Sequence, residues 1–208
     1  SGTTGNPKGV VYHHRGAYLN AMGNALEWDM KMHPTYLWTL PMFHCNGWCF
    51  PWTIAMRAGT NICLRKVTGE SIYEKISSHG VEYLCGAPTV LSFIINTDVN
   101  HVKKLSSTVK LMTAAAPPPA KILEQIEKVG FDVTHVYGLT EVYGPAVICK
   151  WKDDWDNLDS SEKANLKSRQ GVSYLVQEEL KVINPESGNE VRHDGKELGE
   201  VLLRGNIT

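Results

Sequence analysis

Along the first 150 residues, short β-prone runs alternate with helix-length amphipathic stretches, and this alternation limits the fold more than any other feature. Strands are expected over 10–12, 36–40, 61–64, 81–85, 109–113 and 132–137. Helices are expected over 14–28, 48–56, 70–78, 88–95 and 119–129. The first places Ala17, Tyr18, Ala21, Ala25 and Trp28 near helical spacing, and Gly80 and Gly130 end the third and fifth. Strands separated by helices form crossover units, which implies an α/β fold with a mostly parallel sheet and flanking helices. Character changes after Lys150. Residues 151–165 are polar and acidic and read as a surface loop with a short helix. Residues 180–183 and 199–203, around the turn signal Asn184-Pro185-Glu186-Ser187-Gly188, read as a small β subdomain near the C-terminal end.

Composition excludes several classes of function. The 208 residues carry a formal net charge of −1, so neither a nucleic acid nor an anionic membrane is an expected partner. No apolar run approaches the roughly 20 residues that span a bilayer, and no signal-peptide pattern opens the chain. Cys45, Cys49, Cys63, Cys85 and Cys149 are odd in number and mostly scattered, which fits free thiols in a reducing compartment. His44, Cys45 and Cys49 do not make a zinc site, because a second paired cluster is missing. The chain opens on Ser1-Gly2 inside a glycine-rich loop and stops at Asn206-Ile207-Thr208, so it reads as an internal fragment.

Four segments suggest chemistry. Residues 1–9, Ser-Gly-Thr-Thr-Gly-Asn-Pro-Lys-Gly, combine Gly2, Gly5 and Gly9 with the hydroxyls of Ser1, Thr3 and Thr4 and the charge of Lys8. Such a loop suits a polyphosphate. It is not a Walker loop: Pro7 precedes the lysine and Gly9 stands where the magnesium-binding hydroxyl belongs. Tyr137-Gly138-Leu139-Thr140-Glu141 follows an expected strand, where open α/β sheets bind ligands. It offers a flat ring, a hydroxyl for phosphate and a carboxylate for Mg2+, although an ordinary strand-end turn is equally compatible. Thr113-Ala114-Ala115-Ala116-Pro117-Pro118-Pro119 leaves room at a strand end, yet alone it reads as a tight strand-to-helix turn. Pro41-Met42-Phe43-His44-Cys45-Asn46-Gly47-Trp48 mixes aromatic, apolar and imidazole groups. Its His44 is either a core residue or the wall of an acyl pocket.

Taken in order, these segments resemble the adenylate-forming superfamily of acyl-CoA synthetases, aryl-CoA ligases, luciferases and peptide-synthetase adenylation domains. Residues 1–9 match its phosphate loop, 137–141 its Tyr-Gly-x-Thr-Glu motif, and 199–205, with Glu200, its Gly-Glu element. Residues 42–48, 116–119, 140–145 and 151–171 look like plant and bacterial acyl-activating enzymes, including methylmercaptopropionate-CoA ligases. The resemblance implies a partial AMP-binding domain over 1–208, with 1–150 as its sheet part and 151–208 as surface loop and start of the β subdomain. It also implies ATP, Mg2+ and CoA as reactants.

By that resemblance, Ser1, Gly2, Thr3, Thr4, Gly5 and Lys8 hold the β- and γ-phosphates. Ala115, Ala116, Pro117, His135 and Val136 line the adenine site, and Tyr137, beside Gly138, stacks on adenine. Thr140 contacts the α-phosphate and Glu141 binds Mg2+. His44 sits beside the acyl group, Trp48 resembles a gate residue of fatty-acyl relatives, and Val142, Tyr143, Gly144 and Pro145 line the acyl pocket. The superfamily's ribose-binding Asp, its catalytic Lys and its C-terminal lid domain have no counterpart in these residues, and alanines at 114–116 replace the commoner glycines. The fragment alone is therefore expected to be inactive.

The implied reaction is carboxylate–CoA ligation through an acyl-adenylate, on a short- or medium-chain acid. Transfer of the acyl group to a carrier protein, and an inactive nucleotide-binding module, are the alternatives. A cytoplasmic location, or a peroxisomal one in a plant, and a homodimer complete the expectations.

Overall fold

The computed structural model describes residues 6–116 and 118–208. Its centre is a seven-stranded sheet in the order β2-β1-β3-β4-β5-β6-β7. The strands β1 (Thr35–Trp38), β2 (Thr60–Cys63), β3 (Tyr83–Gly86), β4 (Val109–Thr113) and β5 (Phe131–Leu139) pair in parallel. The helices α1 (His14–Glu27), α3 (Phe50–Met56), α4 (Gly69–His79), α5 (Pro88–Ile95) and α6 (Ala120–Lys128) flank them. The expected α/β architecture is present.

Strand alternation builds two cores, one on each face of the sheet. Tyr36 and Trp38 of β1, Tyr83 and Cys85 of β3 and Met112 of β4 join Ala25 and Trp28 near the end of α1 and Phe50 and Ile54 of α3. The intervening Leu37, Leu84 and Leu111 face Ile72, Tyr73 and Ile76 of α4, Leu91 and Ile94 of α5 and Leu123 and Ile126 of α6. Burying a Leu or Ile side chain contributes about 1.5–3 kcal/mol, so the second core holds the three crossover helices down.

Three expectations are corrected. Residues 10–12 form no strand; Val11 is 93% exposed, and a strand there would gain no apolar burial. The helix expected over 48–56 begins only at Phe50, because the preceding α2 (Cys45–Trp48) is not right-handed. Cys45, Asn46, Gly47, Trp48 and Cys49 all have φ between 44° and 64°. The Tyr137–Leu139 part of the motif lies inside β5, which runs on to pair antiparallel with the unforeseen β6 (Gly144–Ile148). The register shifts between Tyr137 and Gly138, and a Cβ on Gly138 would stand 1.6 Å from the Gly144 carbonyl oxygen. Only glycine lets these two backbones approach so closely.

The polar stretch after Lys150 contains α7 (Ser160–Lys167), whose N-cap Asp159 accepts from the Glu162 amide. β7 (Val172–Ser173) closes the sheet edge. β8 (Gln177–Ile183) and β9 (Glu200–Gly205) form a separate antiparallel pair.

Candidate functional site

At the carboxyl ends of β4 and β5 the chain leaves a cleft of about 300 Å³. This is where open parallel sheets bind ligands. Ala114 and Ala115 line it from the end of β4, and Gly138 and Leu139 from β5. Thr140 and Glu141 come from the 3-10 turn Thr140–Val142, Gly144 and Pro145 from β6, Cys45 and Trp48 from the left-handed turn, and His44 from the extended residue just before it. A second, more apolar cavity of about 400 Å³ shares His44, Trp48 and Ala115 and extends to Leu40, Val67, Val90 and Phe93. Trp48 is buried and forms part of both linings.

Local structure explains these positions. Left-handed backbone costs about 1–2 kcal/mol for each non-glycine residue, so the turn at 45–49 needs anchors. Asn24, fully buried on α1, donates from Nδ2 to the Trp48 carbonyl at 2.7 Å. Gly144 has φ +121°, and a Cβ there would stand 2.9 Å from Trp48 Cα. Ala115 is itself left-handed, at φ +78°.

Burial disfavours the thiolate at both cysteines of the site. Burial, followed by the nearby Glu141 carboxylate, raises the Cys45 thiol, while the Thr140 hydroxyl contact lowers it in part. Its Sγ lies 3.4 Å from Thr140 Oγ1. Burial, then Cys45, pushes Cys49 up to about 12, and its Sγ donates to the Tyr143 carbonyl. A protonated thiol attacks carbonyls poorly, and all five cysteines are free. What the cleft offers instead is a hydroxyl and a carboxylate, hard oxygen groups suited to a phosphate and Mg2+.

Of the residues singled out from the sequence, His44, Trp48, Ala115, Gly138, Thr140, Glu141, Gly144 and Pro145 meet around this cleft. Ala116 is exposed next to it in sequence, and Lys8 is exposed in the irregular stretch before α1. Tyr137 is half-buried opposite Val147. Val136 belongs to the core that contains Trp48 and Ala114. His135 is buried, with Nδ1 2.9 Å from the Arg169 carbonyl, and burial depresses its pKa. Val142 and Tyr143 pack into a third core with Ala21, Cys49, Ala146 and Ile207, and neither lines the two cavities. The hairpin between β5 and β6 turns them away from the cleft. Ser1, Gly2, Thr3, Thr4, Gly5 and Pro117 lie outside the described residues.

Sequence reasoning missed Cys45, Ala114 and Leu139 as lining residues, although all three sit within motifs it had marked. It also missed Asn24. The available signal was the pair Asn20 and Asn24, four apart on a helix face otherwise made of glycines and alanines. A charged cavity of about 480 Å³ lies at the other end of the sheet, beside the start of β5. Its ion pairs, Lys150–Glu27 at 2.6 Å and Lys167–Asp132 at 3.3 Å, already satisfy much of its charge.

Residues 1–208 match the family described as AMP-binding enzyme. The chain is 50% identical over 208 residues to an Arabidopsis thaliana acetate/butyrate–CoA ligase described as peroxisomal, covering all of this chain and 37% of that protein. It is 50% identical over 205 residues to a Humulus lupulus 2-methylpropanoate–CoA ligase, covering 99% of this chain and 36% of the relative. The chain thus spans little more than a third of these relatives. Its fold is shared with the N-terminal domain of a Mycobacterium tuberculosis protein named FACL13, at TM-score 0.81, 22% identity, and 98% and 48% coverage of the two chains. An O-succinylbenzoate coenzyme A synthetase from Bacillus subtilis, solved with AMP, matches at TM-score 0.78 and 22% identity, covering 100% of this chain and 40% of its own.

Proposed function

The chain belongs to the AMP-binding enzyme family, and from that premise we propose that its parent protein is an ATP-dependent carboxylate–CoA ligase for short- or medium-chain acids. The observation that carries this reading is the meeting of Thr140 and Glu141 with His44 and Trp48 around one cleft at the strand ends. The 50% identity to ligases named for acetate, butyrate and 2-methylpropanoate supports the acid class.

In this reading a carboxylate oxygen attacks the α-phosphorus of ATP, the bond to pyrophosphate breaks, and acyl-adenylate remains. The thiolate of CoA then attacks the acyl carbonyl and AMP leaves. Thr140 orients the α-phosphate, and the phosphate loop with Lys8 holds the β- and γ-phosphates. Ala115 and Ala116 bound the adenine beside Tyr137. Glu141 is the candidate Mg2+ ligand; the ion supplies neutralisation of the charge building on pyrophosphate. His44 and Trp48 face the acyl group, and the bulk of Trp48 favours short acids. The chain's own contribution is orientation and charge placement.

We further propose that residues 1–150 supply all but the edge strand β7 of the sheet part of the family's large domain, and that 151–208 add that strand and begin its β subdomain, with a lid domain supplied by the parent. A cytoplasmic location, or a peroxisomal one in a plant, belongs to the same proposal.

The test is ATP–pyrophosphate exchange by the full-length parent across a panel of acids, followed by detection of free acyl-CoA. Exchange on short and medium acids with acyl-CoA release is expected, and Glu141→Gln cuts the exchange rate by roughly 100-fold. If no acid supports exchange, the proposal fails; exchange without acyl-CoA release removes CoA as the acceptor.

A further inference from the structure

Tyr12 lies between the phosphate-loop segment and α1, and it is tied to the far side of the chain at several points. Its hydroxyl donates to the Thr140 carbonyl at 2.6 Å. Its ring stacks on Tyr143, with centroids 4.2 Å apart and planes at 29°. The next residue, His13, donates its backbone N–H to the Tyr143 hydroxyl at 3.0 Å. Tyr143 also fills the space beside Gly16, where a Cβ would stand 2.4 Å from its ring. The start of α1 and the Thr140–Val142 turn therefore form one clasped unit. Lys8 is four residues upstream of Tyr12, so the chain holds its Cα within about 14 Å of that unit. Val10, Tyr12, Cys45 and Thr140 line a recess of about 270 Å³ that shares Cys45 and Thr140 with the main cleft.

We propose that Tyr12 is a positioning residue that locks the turn carrying Thr140 and Glu141 to the segment carrying Lys8. The two halves of the phosphate site come from sequence positions more than 120 residues apart, and the hairpin alone does not fix one against the other. The hydroxyl bond holds the carbonyl of the peptide that joins Thr140 to Glu141, and so the backbone from which Oγ1 on one side and the carboxylate on the other project. The inference rests on the ligase reading for its kinetic consequence and on geometry alone for its structural one.

Tyr12→Phe in the full-length parent removes only the hydroxyl and keeps the ring on Tyr143. The expected result is a fall in kcat for ATP–pyrophosphate exchange of about 10-fold, with KM for the acid within twofold. Thr140→Val supplies a cycle: in that background Tyr12→Phe costs less than it does alone, because the part of its effect that runs through the Thr140 hydroxyl is gone while the part that runs through Glu141 remains. Hydrogen exchange of the peptide over 137–148 reads the clasp without activity, and faster exchange is expected in Tyr12→Phe. An unchanged kcat in an active parent, or an equal loss in the Thr140→Val background, overturns the kinetic role. Unchanged protection over 137–148 overturns the clasp itself. A parent with no exchange on any acid overturns the ligase reading, and hydrogen exchange still decides the clasp.

Discussion

Asn24 and Trp48 are joined by a buried hydrogen bond, Nδ2 to carbonyl at 2.7 Å, that ties the last turn of α1 to a left-handed turn. The Oδ1 of the same Asn24 side chain accepts from the Tyr174 hydroxyl at 3.3 Å. Asn24→Ala would leave both groups unpaired in a dry interior. A loss of about 2–4 kcal/mol of stability is expected, read from urea denaturation of the parent. Asn24→Asp, which keeps the acceptor and loses the donor, is expected to lose nearly as much.

Gly138→Ala puts a methyl 1.6 Å from the Gly144 carbonyl oxygen, so β5 and β6 cannot stay paired as they are. Destabilisation of more than about 3 kcal/mol is expected, seen as a collapse of the thermal midpoint. A variant that unfolds like the parent would show that the hairpin relaxes.

Ala115 sits at φ +78° beside the cleft. Relief of left-handed strain outweighs the added chain entropy of glycine, so Ala115→Gly is expected to stabilise by roughly 0.5–1 kcal/mol. The midpoint in denaturant would rise while the slope stays fixed.

Burial lowers the His135 pKa, with backbone carbonyls including that of Arg169 opposing in part. In the unfolded chain the imidazole protonates at about pH 6.5, whereas in the folded chain it stays neutral to lower pH. Stability is therefore fully present above that pH and is lost as pH falls from there through the folded value. A series of denaturation curves from pH 7.5 to 5 should show this decline, and His135→Gln should flatten it.

Helix and strand positions were legible where period and punctuation agreed. The expected helix over 88–95 and strand over 109–113 coincide with α5 and β4, because apolar spacing and proline positions all point one way. The motifs of the candidate site were legible in the sequence, and their His44, Thr140 and Glu141 line one cleft. The left-handed turn was legible only at its centre: Asn46-Gly47 is a pair that favours positive φ, whereas Cys45, Trp48 and Cys49 carry no such preference. β6 carried no strand signal at its start, because a Gly-Pro pair such as Gly144-Pro145 ordinarily marks a turn.

The sequence by itself determined the parallel α/β plan, its two-faced core and the segments that carry polar chemistry. Those follow from local periodicity and residue type, which act over a few neighbours. Only the tertiary structure decided which motif residues face the cleft. Trp48 reaches both cavities, while Val142 and Tyr143, in the same apolar language, turn into a core. That choice depends on contacts between distant residues, such as Asn24 with Trp48 and Tyr12 with Thr140. No local pattern encodes such contacts, because each forms only once the sheet has brought its two strands of chain together.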